Sequence, residues 1–536
     1  MYLDYETTVE TTQTAPRYAG QYLDVVCEQL PVMDRTIREY GSAPLADYLH
    51  DLTPGRAASF QKRDDVAETV YTYAAPLLGK TVASTASQEL MQCPLVMTAN
   101  HHGVDFFSQS VQGSLLFSML SKNGRGPGRT ALVFSCGAIP LDNITYPLGM
   151  LLYHAGVQET KALPVKLPVF SNRFRRMLVS VAGPIDKAMV QRAQSRVKRM
   201  IQQKKISPSL SESVPAIFSQ DYGASEVLNQ SSYSRQSVVL NSRIWNRLFA
   251  DARPPSQLLY LELEQICGKL LGKDLLDCNS LVGRILFDTK LRQAVIEELN
   301  GAKACWDLSQ LLQRVSNAPS AKRKKGNVNG CGTTFFWGIT DRGRRIPLCL
   351  EADGVDRETL RGVDDRGSLF ELAFTPKSIV QALKEKRLLP SLFTCFTVLS
   401  FARGIACAGG YYQAEYLPHM QRGLVSALTK TQGYEEVADI IKRVDTGIYL
   451  SGMQAVMMRT EKDRLMPAGP AEIIAAGGLT GEDLERIRRL TVRDAHLASL
   501  FETVADVAPW ATKTPGWRKQ LATDCWRLLK GSVVVK

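Results

Sequence analysis

The chain has no Gly-x4-Gly-Lys-Ser/Thr loop, no Gly-x-Gly-x-x-Gly after a strand-like run and no Gly-x-Ser-x-Gly elbow. These gaps argue against P-loop nucleotide hydrolysis, dinucleotide-dependent dehydrogenation and an α/β-hydrolase mechanism. Histidine is scarce, with six in 536 residues, and the eleven cysteines form no Cys-x-x-Cys pair. The closest two, Cys267 and Cys278, are far apart in sequence, so no metal-ligand spacing exists and no tightly bound metal or cofactor is expected. An odd number of scattered cysteines, behind an acidic and polar segment at residues 1–7, reads as a reduced, cytoplasmic protein without a leader. Long hydrophobic runs are missing too. The longest, residues 388–401, contains Pro390 and falls short of the ~20 residues that a bilayer span needs, so no integral membrane segment is expected.

What remains is an ordinary globular composition, 45% hydrophobic and 22% charged, with a net charge of +12. The positive balance favours an acidic partner or a phosphate-bearing ligand. The basic residues are not interleaved with aromatics as a single-strand binder requires, which disfavours nucleic acid.

One stretch concentrates chemistry. Residues 95–112, Leu-Val-Met-Thr-Ala-Asn-His-His-Gly-Val-Asp-Phe-Phe-Ser-Gln-Ser-Val-Gln, read as a short buried strand, a polar turn and a helix. Val104, Phe107, Val111, Leu115 and Met119 recur at three and four, which predicts one helical face and places Asp105 in its first turn. A carboxylate four positions after His101 can fix one imidazole tautomer and leave the other nitrogen to act as a general base. The plainer reading is a histidine pair that caps a helix and bonds backbone. Cys136, at the end of the next apolar run (residues 130–136), is a candidate nucleophile that His101 would activate.

Apolar runs alternate with helix-like stretches, which predicts an α/β fold with a mostly parallel central sheet flanked by helices, and additional helical segments at both ends. The division expected is a helical segment at residues 1–90, an α/β core at 91–320, and a mixed then helical region at 331–536. Residues 148–152 read as helix, 163–170 and 177–181 as strands, and the Ser/Gln-rich residues 207–236 as an exposed connection. Residues 186–206 predict an amphipathic helix whose outer face carries Arg192, Arg196 and Arg199. The Gly/Asn-punctuated basic run at residues 320–330 reads as a mobile loop or lid. Further on, Arg403, Gly409, Gly410, Gln413 and Tyr416 form a second polar constellation, expected to close over the His101 cleft and bind substrate, with Arg403 pairing to an anionic group.

The strand, Asn100-His101-x3-Asp105, helix pattern resembles the first motif of the glycerolipid acyltransferases, with one residue fewer between His and Asp and without a Phe-Pro-Glu-Gly-Thr motif downstream. It also resembles the His-His-x3-Asp-Gly motif of chloramphenicol acetyltransferases and peptide-synthetase condensation domains, with Phe106 in place of the Gly. Each resemblance covers about twenty residues. Both imply acyl transfer from a thioester, acyl-coenzyme A or an acyl carrier protein, to a small-molecule hydroxyl or amine. His101 would then be the base, Asp105 its orienting partner, Asn100 and His102 substrate or oxyanion contacts, and Arg192, Arg196 and Arg199 the donor-binding face. The alternatives are a Cys136/His101 hydrolase or amide-forming enzyme, and a non-enzymatic protein that binds an acidic partner.

Overall fold

A computed structural model describes residues 18–52, 59–120, 128–153, 164–250, 254–316, 331–352, 358–460 and 463–536. Its centre is a five-stranded, all-parallel sheet: β1 (Leu95–Met97), β2 (Thr130–Ser135), β3 (Gln257–Glu262), β4 (Ala406–Gly410) and β5 (Tyr449–Ser451). The order across the sheet is β5-β4-β1-β2-β3. The expected α/β architecture is therefore present. One sheet takes strands from both the 91–320 and the 331–536 stretches.

Successive side chains of a strand point to opposite faces, and here both faces are apolar. Val96, Leu132, Phe134, Leu259, Leu261 and Cys407 join one core, with the helices Asp64–Leu78, Lys80–Gln92 and Leu263–Asp274. Leu95, Met97, Ala131, Val133, Leu258, Tyr260, Ala406 and Ala408 join the other, with Ser108–Ser118 and Val492–Val507. Burial on both sides explains why these strands read as continuous apolar runs. A third core packs the strand pair Gly149–Leu152 and Val165–Pro168 against Lys187–Gln202 and Tyr233–Arg247.

Several local expectations fail for identifiable reasons. The helix after β1 begins at Ser108, not at Asp105, and its whole circumference is buried. Residues 149–152 are a strand, because a four-residue run buried on every side carries no period to reveal its type. Residues 179–181 form a single 3₁₀ turn. Residues 207–236 are mostly helical and partly buried, with Leu210, Val214, Ile217, Phe218 and Tyr222 in the core. A further helix, Lys80–Gln92, intervenes between Asp64–Leu78 and β1. The basic run at 320–330 lies outside the described residues. Among the described residues, no helix is long and apolar enough to cross a membrane.

Candidate active site

The chain runs from β1 outward through β2 to β3, then crosses back to β4 and β5 on the other side of β1. The connections that leave β1 and β4 therefore diverge and open a crevice at the carboxyl ends of the strands, where open α/β sheets bind their ligands. A cavity of about 680 Å³ lies there, within the range of small-molecule sites. Thr98, Asn100 and His101 enter it from the end of β1, and Gly410, Tyr411 and Gln413 from β4.

The loop after β1 is held rigidly. Cys136 N–H donates to the Asn100 carbonyl at 2.9 Å and His102 N–H to the Cys136 carbonyl at 2.7 Å, so the β1–β2 ladder continues past the strands. Extended backbone sends neighbouring side chains opposite ways. His101 and Cys136 face the cleft, while His102 and Ser135 point away from it. The imidazole of His101 is half-buried, and among the described residues its Nδ1 has no hydrogen-bond partner. Burial lowers its pKa below the ordinary 6.5, opposed by a hydrogen bond with the Asn143 side chain, so the ring is neutral at pH 7.

Asp105 does not hold that ring. Gly103 has φ +131°, and a Cβ there would lie 2.6 Å from Pro147 Cβ, so only glycine fits this turn. Beyond it the chain runs extended to Phe107. The Asp105 N–H donates to Asn241 Oδ1 at 2.9 Å, and its carboxylate accepts from Phe107 N–H at 3.0 Å. The Tyr260 hydroxyl lies 2.9 Å from Asp105 Oδ2 and 2.8 Å from the His101 carbonyl. Burial pushes the Asp105 carboxyl up to about 7. In its protonated form it can donate to Tyr260 while Tyr260 donates to the loop, so Asp105 positions the His101 backbone and not its imidazole.

His102 is likewise outside the cleft. It is fully buried, with Nδ1 2.7 Å from Ser135 Oγ and Nε2 3.0 Å from Ser234 Oγ. Asn100 does line the cavity, but its amide donates to Ser114 Oγ at 3.0 Å and ties the loop to the helix Ser108–Ser118.

The Cys136 thiol donates to Glu264 Oε1 at 3.2 Å, and burial together with that carboxyl raises its pKa well above 9.0. A thiol held protonated this way is a poor nucleophile. Glu264, immediately beyond β3, caps Gly137 N–H at 2.6 Å and Ala138 N–H at 2.9 Å, and is raised by burial and by Glu262. Across the cleft, Glu502 accepts from the Tyr153 hydroxyl and the Gln454 amide, each at 2.6 Å, and burial pushes it up to about 7. Asp506, one helical turn on, accepts from the Tyr411 hydroxyl at 2.6 Å. The Arg345 guanidinium lies 4.6 Å from the centre of the Trp337 ring in the same wall. Of these, the Glu502-x3-Asp506 spacing on one helix face was visible in the sequence. The burial that matters for Glu264 was not.

The second constellation splits. Gly410, Gln413 and Tyr416 line the His101 cavity. Gln413 Nε2 donates to Thr98 Oγ1 at 2.7 Å, which binds the β4 helix to the end of β1. Gly409 allows that approach, since a Cβ on it would lie 2.7 Å from the Cβ of Gln413. Arg403 is absent from the cavity wall. It is fully buried, with its guanidinium 2.6 Å from Asp65 and 2.7 Å from Asp274. Arg192, Arg196 and Arg199 also lie away from the cleft, on the outer face of Lys187–Gln202, along a separate hollow of about 340 Å³. Among the described residues, no group of three or more His, Cys, Asp or Glu side chains is arranged to hold a metal ion. Neither a family model, nor a curated protein, nor a solved structure matches the chain.

Proposed function

We propose that the protein is an acyltransferase whose active site is the cleft between the ends of β1 and β4, with His101 as its general base. The carrying observation is the neutral imidazole of His101 in that cleft, with Nδ1 unpartnered among the described residues. A small-molecule hydroxyl or amine binds against Tyr411, Tyr412 and Tyr416. The imidazole takes its proton as the oxygen or nitrogen attacks the thioester carbonyl carbon. The tetrahedral intermediate places its negative charge towards Arg345, then collapses. The carbon–sulfur bond breaks and the thiolate leaves with the proton from the imidazolium. Acyl-coenzyme A or an acyl carrier protein is the donor.

Incubation with a panel of acyl-thioesters and small hydroxyl and amine acceptors, read as thiol release, tests this. Acceptor-dependent release supports it, and none with any pair removes it. Because the Cys136 thiol is held protonated, Cys136→Ser keeps the hydrogen bond to Glu264 and should retain turnover within a few-fold. Loss of activity, with a trapped acyl group on wild-type Cys136 by mass spectrometry, would instead establish a covalent route.

A further inference from the structure

His102 and Ser135 point away from the cleft, and what they point towards is a second cavity. Ser234 bonds His102 on one side and lines a hollow of about 340 Å³ on the other. Three cationic side chains converge on that hollow from separate segments: Arg235 from the start of Tyr233–Arg247, Lys269 from Leu263–Asp274, and Lys386 from the turn after Pro376–Lys384. Among the described residues, no carboxylate is in its wall. Among the described residues none of the three forms an ion pair. Arg235 Nε donates to the Gln230 amide oxygen at 3.3 Å and Lys386 Nζ to the Ser180 carbonyl at 2.7 Å. Glu262 is fully buried behind Ser234, from whose hydroxyl it accepts.

Two further features belong to the same place. Ser232 caps the helix Tyr233–Arg247, accepting from Arg235 N–H, so the positive end of a fifteen-residue helix opens on the hollow. Lys386 holds φ +55°, a backbone conformation that costs free energy in a non-glycine residue and persists where the surroundings fix a side chain. Burial and the neighbouring Arg235 both lower the pKa of Lys269, the signature of cations brought together without a counter-charge.

We propose that this cavity is an anion site that takes the phosphate group of a small phosphorylated molecule. Arg235 supplies the planar fork suited to phosphate oxygens, the two lysines supply point charges, and the hydroxyls of Ser232 and Ser234 complete the polar wall. The arginine row on Lys187–Gln202 is a weaker candidate, because its three charges lie along one helix face and do not converge. The site stands independently of the role given to His101.

Calorimetric titration of the full chain with inorganic pyrophosphate tests it. The expected result is one saturable site whose affinity falls as salt is added. Lys269→Gln combined with Lys386→Asn, chosen because asparagine tolerates the left-handed backbone, should weaken binding about tenfold for each lysine removed. Lys269→Glu alone, at an exposed position that does not threaten folding, should abolish it. Arg192→Gln with Arg199→Gln should leave it unchanged. Absence of saturable binding to wild type, unaltered binding in Lys269→Glu, or loss in the Arg192/Arg199 pair would each overturn the assignment.

Discussion

A His101→Gln variant is expected to lose about 10²–10⁴-fold in kcat/KM, the usual cost of deleting a general base, while unfolding at the wild-type temperature. Both halves follow from the same geometry. The loop around His101 is fixed by backbone bonds: its carbonyl accepts from Tyr260, and the flanking Asn100 and His102 are paired with Cys136. None of these needs the imidazole. Its Nδ1 has no partner among the described residues, and the bond lost with the ring is the one to the half-buried Asn143 side chain, which still accepts from Thr145 N–H. A loss of stability comparable to the loss of activity, read by thermal melting, would show that the ring is a packing element.

Arg403→Met should have the opposite profile. Arg403 donates to Asp65 through Nε and Nη2, to Asp274 through Nη1 and Nη2, and to the Val398 carbonyl at 3.0 Å. Removing the guanidinium leaves Asp65 and the buried Asp274 facing each other without a counter-charge. Breaking a buried pair in this way costs about 3–5 kcal/mol. Denaturant unfolding should record that loss, and turnover per folded molecule should be near that of wild type. A variant that unfolds normally but binds the acceptor weakly would restore the substrate-binding role that its neighbours in sequence suggest.

Arg403 also shows where reading along the chain fails. Its neighbours Gly410, Gln413 and Tyr416 did reach the cleft, but its partners lie 338 and 129 residues away. Local composition carries no information about such contacts. Asp105 failed differently. The motif spacing and the apolar period both pointed to a helix start, but Gly103 turns the chain and Asn241 claims the Asp105 N–H, so the carboxylate faces Tyr260. β1 and β2 were legible because parallel strands buried on both faces are uninterrupted apolar runs, bounded here by Pro94 and by Gly137. Their neighbourhood in the sheet, and with it the pairing of His101 with the β4 segment, follows from the order β5-β4-β1-β2-β3, which no local pattern encodes. Glu264 is unremarkable in sequence; what raises it is burial beside Glu262, which no local pattern encodes.

The central claim is that the neutral imidazole of His101 is the base, and the pH dependence of kcat/KM tests it most directly. A base works only when deprotonated, so activity falls as pH drops through its pKa. Burial lowers the pKa of His101, so the acidic limb should have its midpoint below 6.5, and His101→Gln should lack that limb. A midpoint near 7, where burial places the Glu502 carboxyl, or a limb that persists unchanged in His101→Gln, would contradict the account.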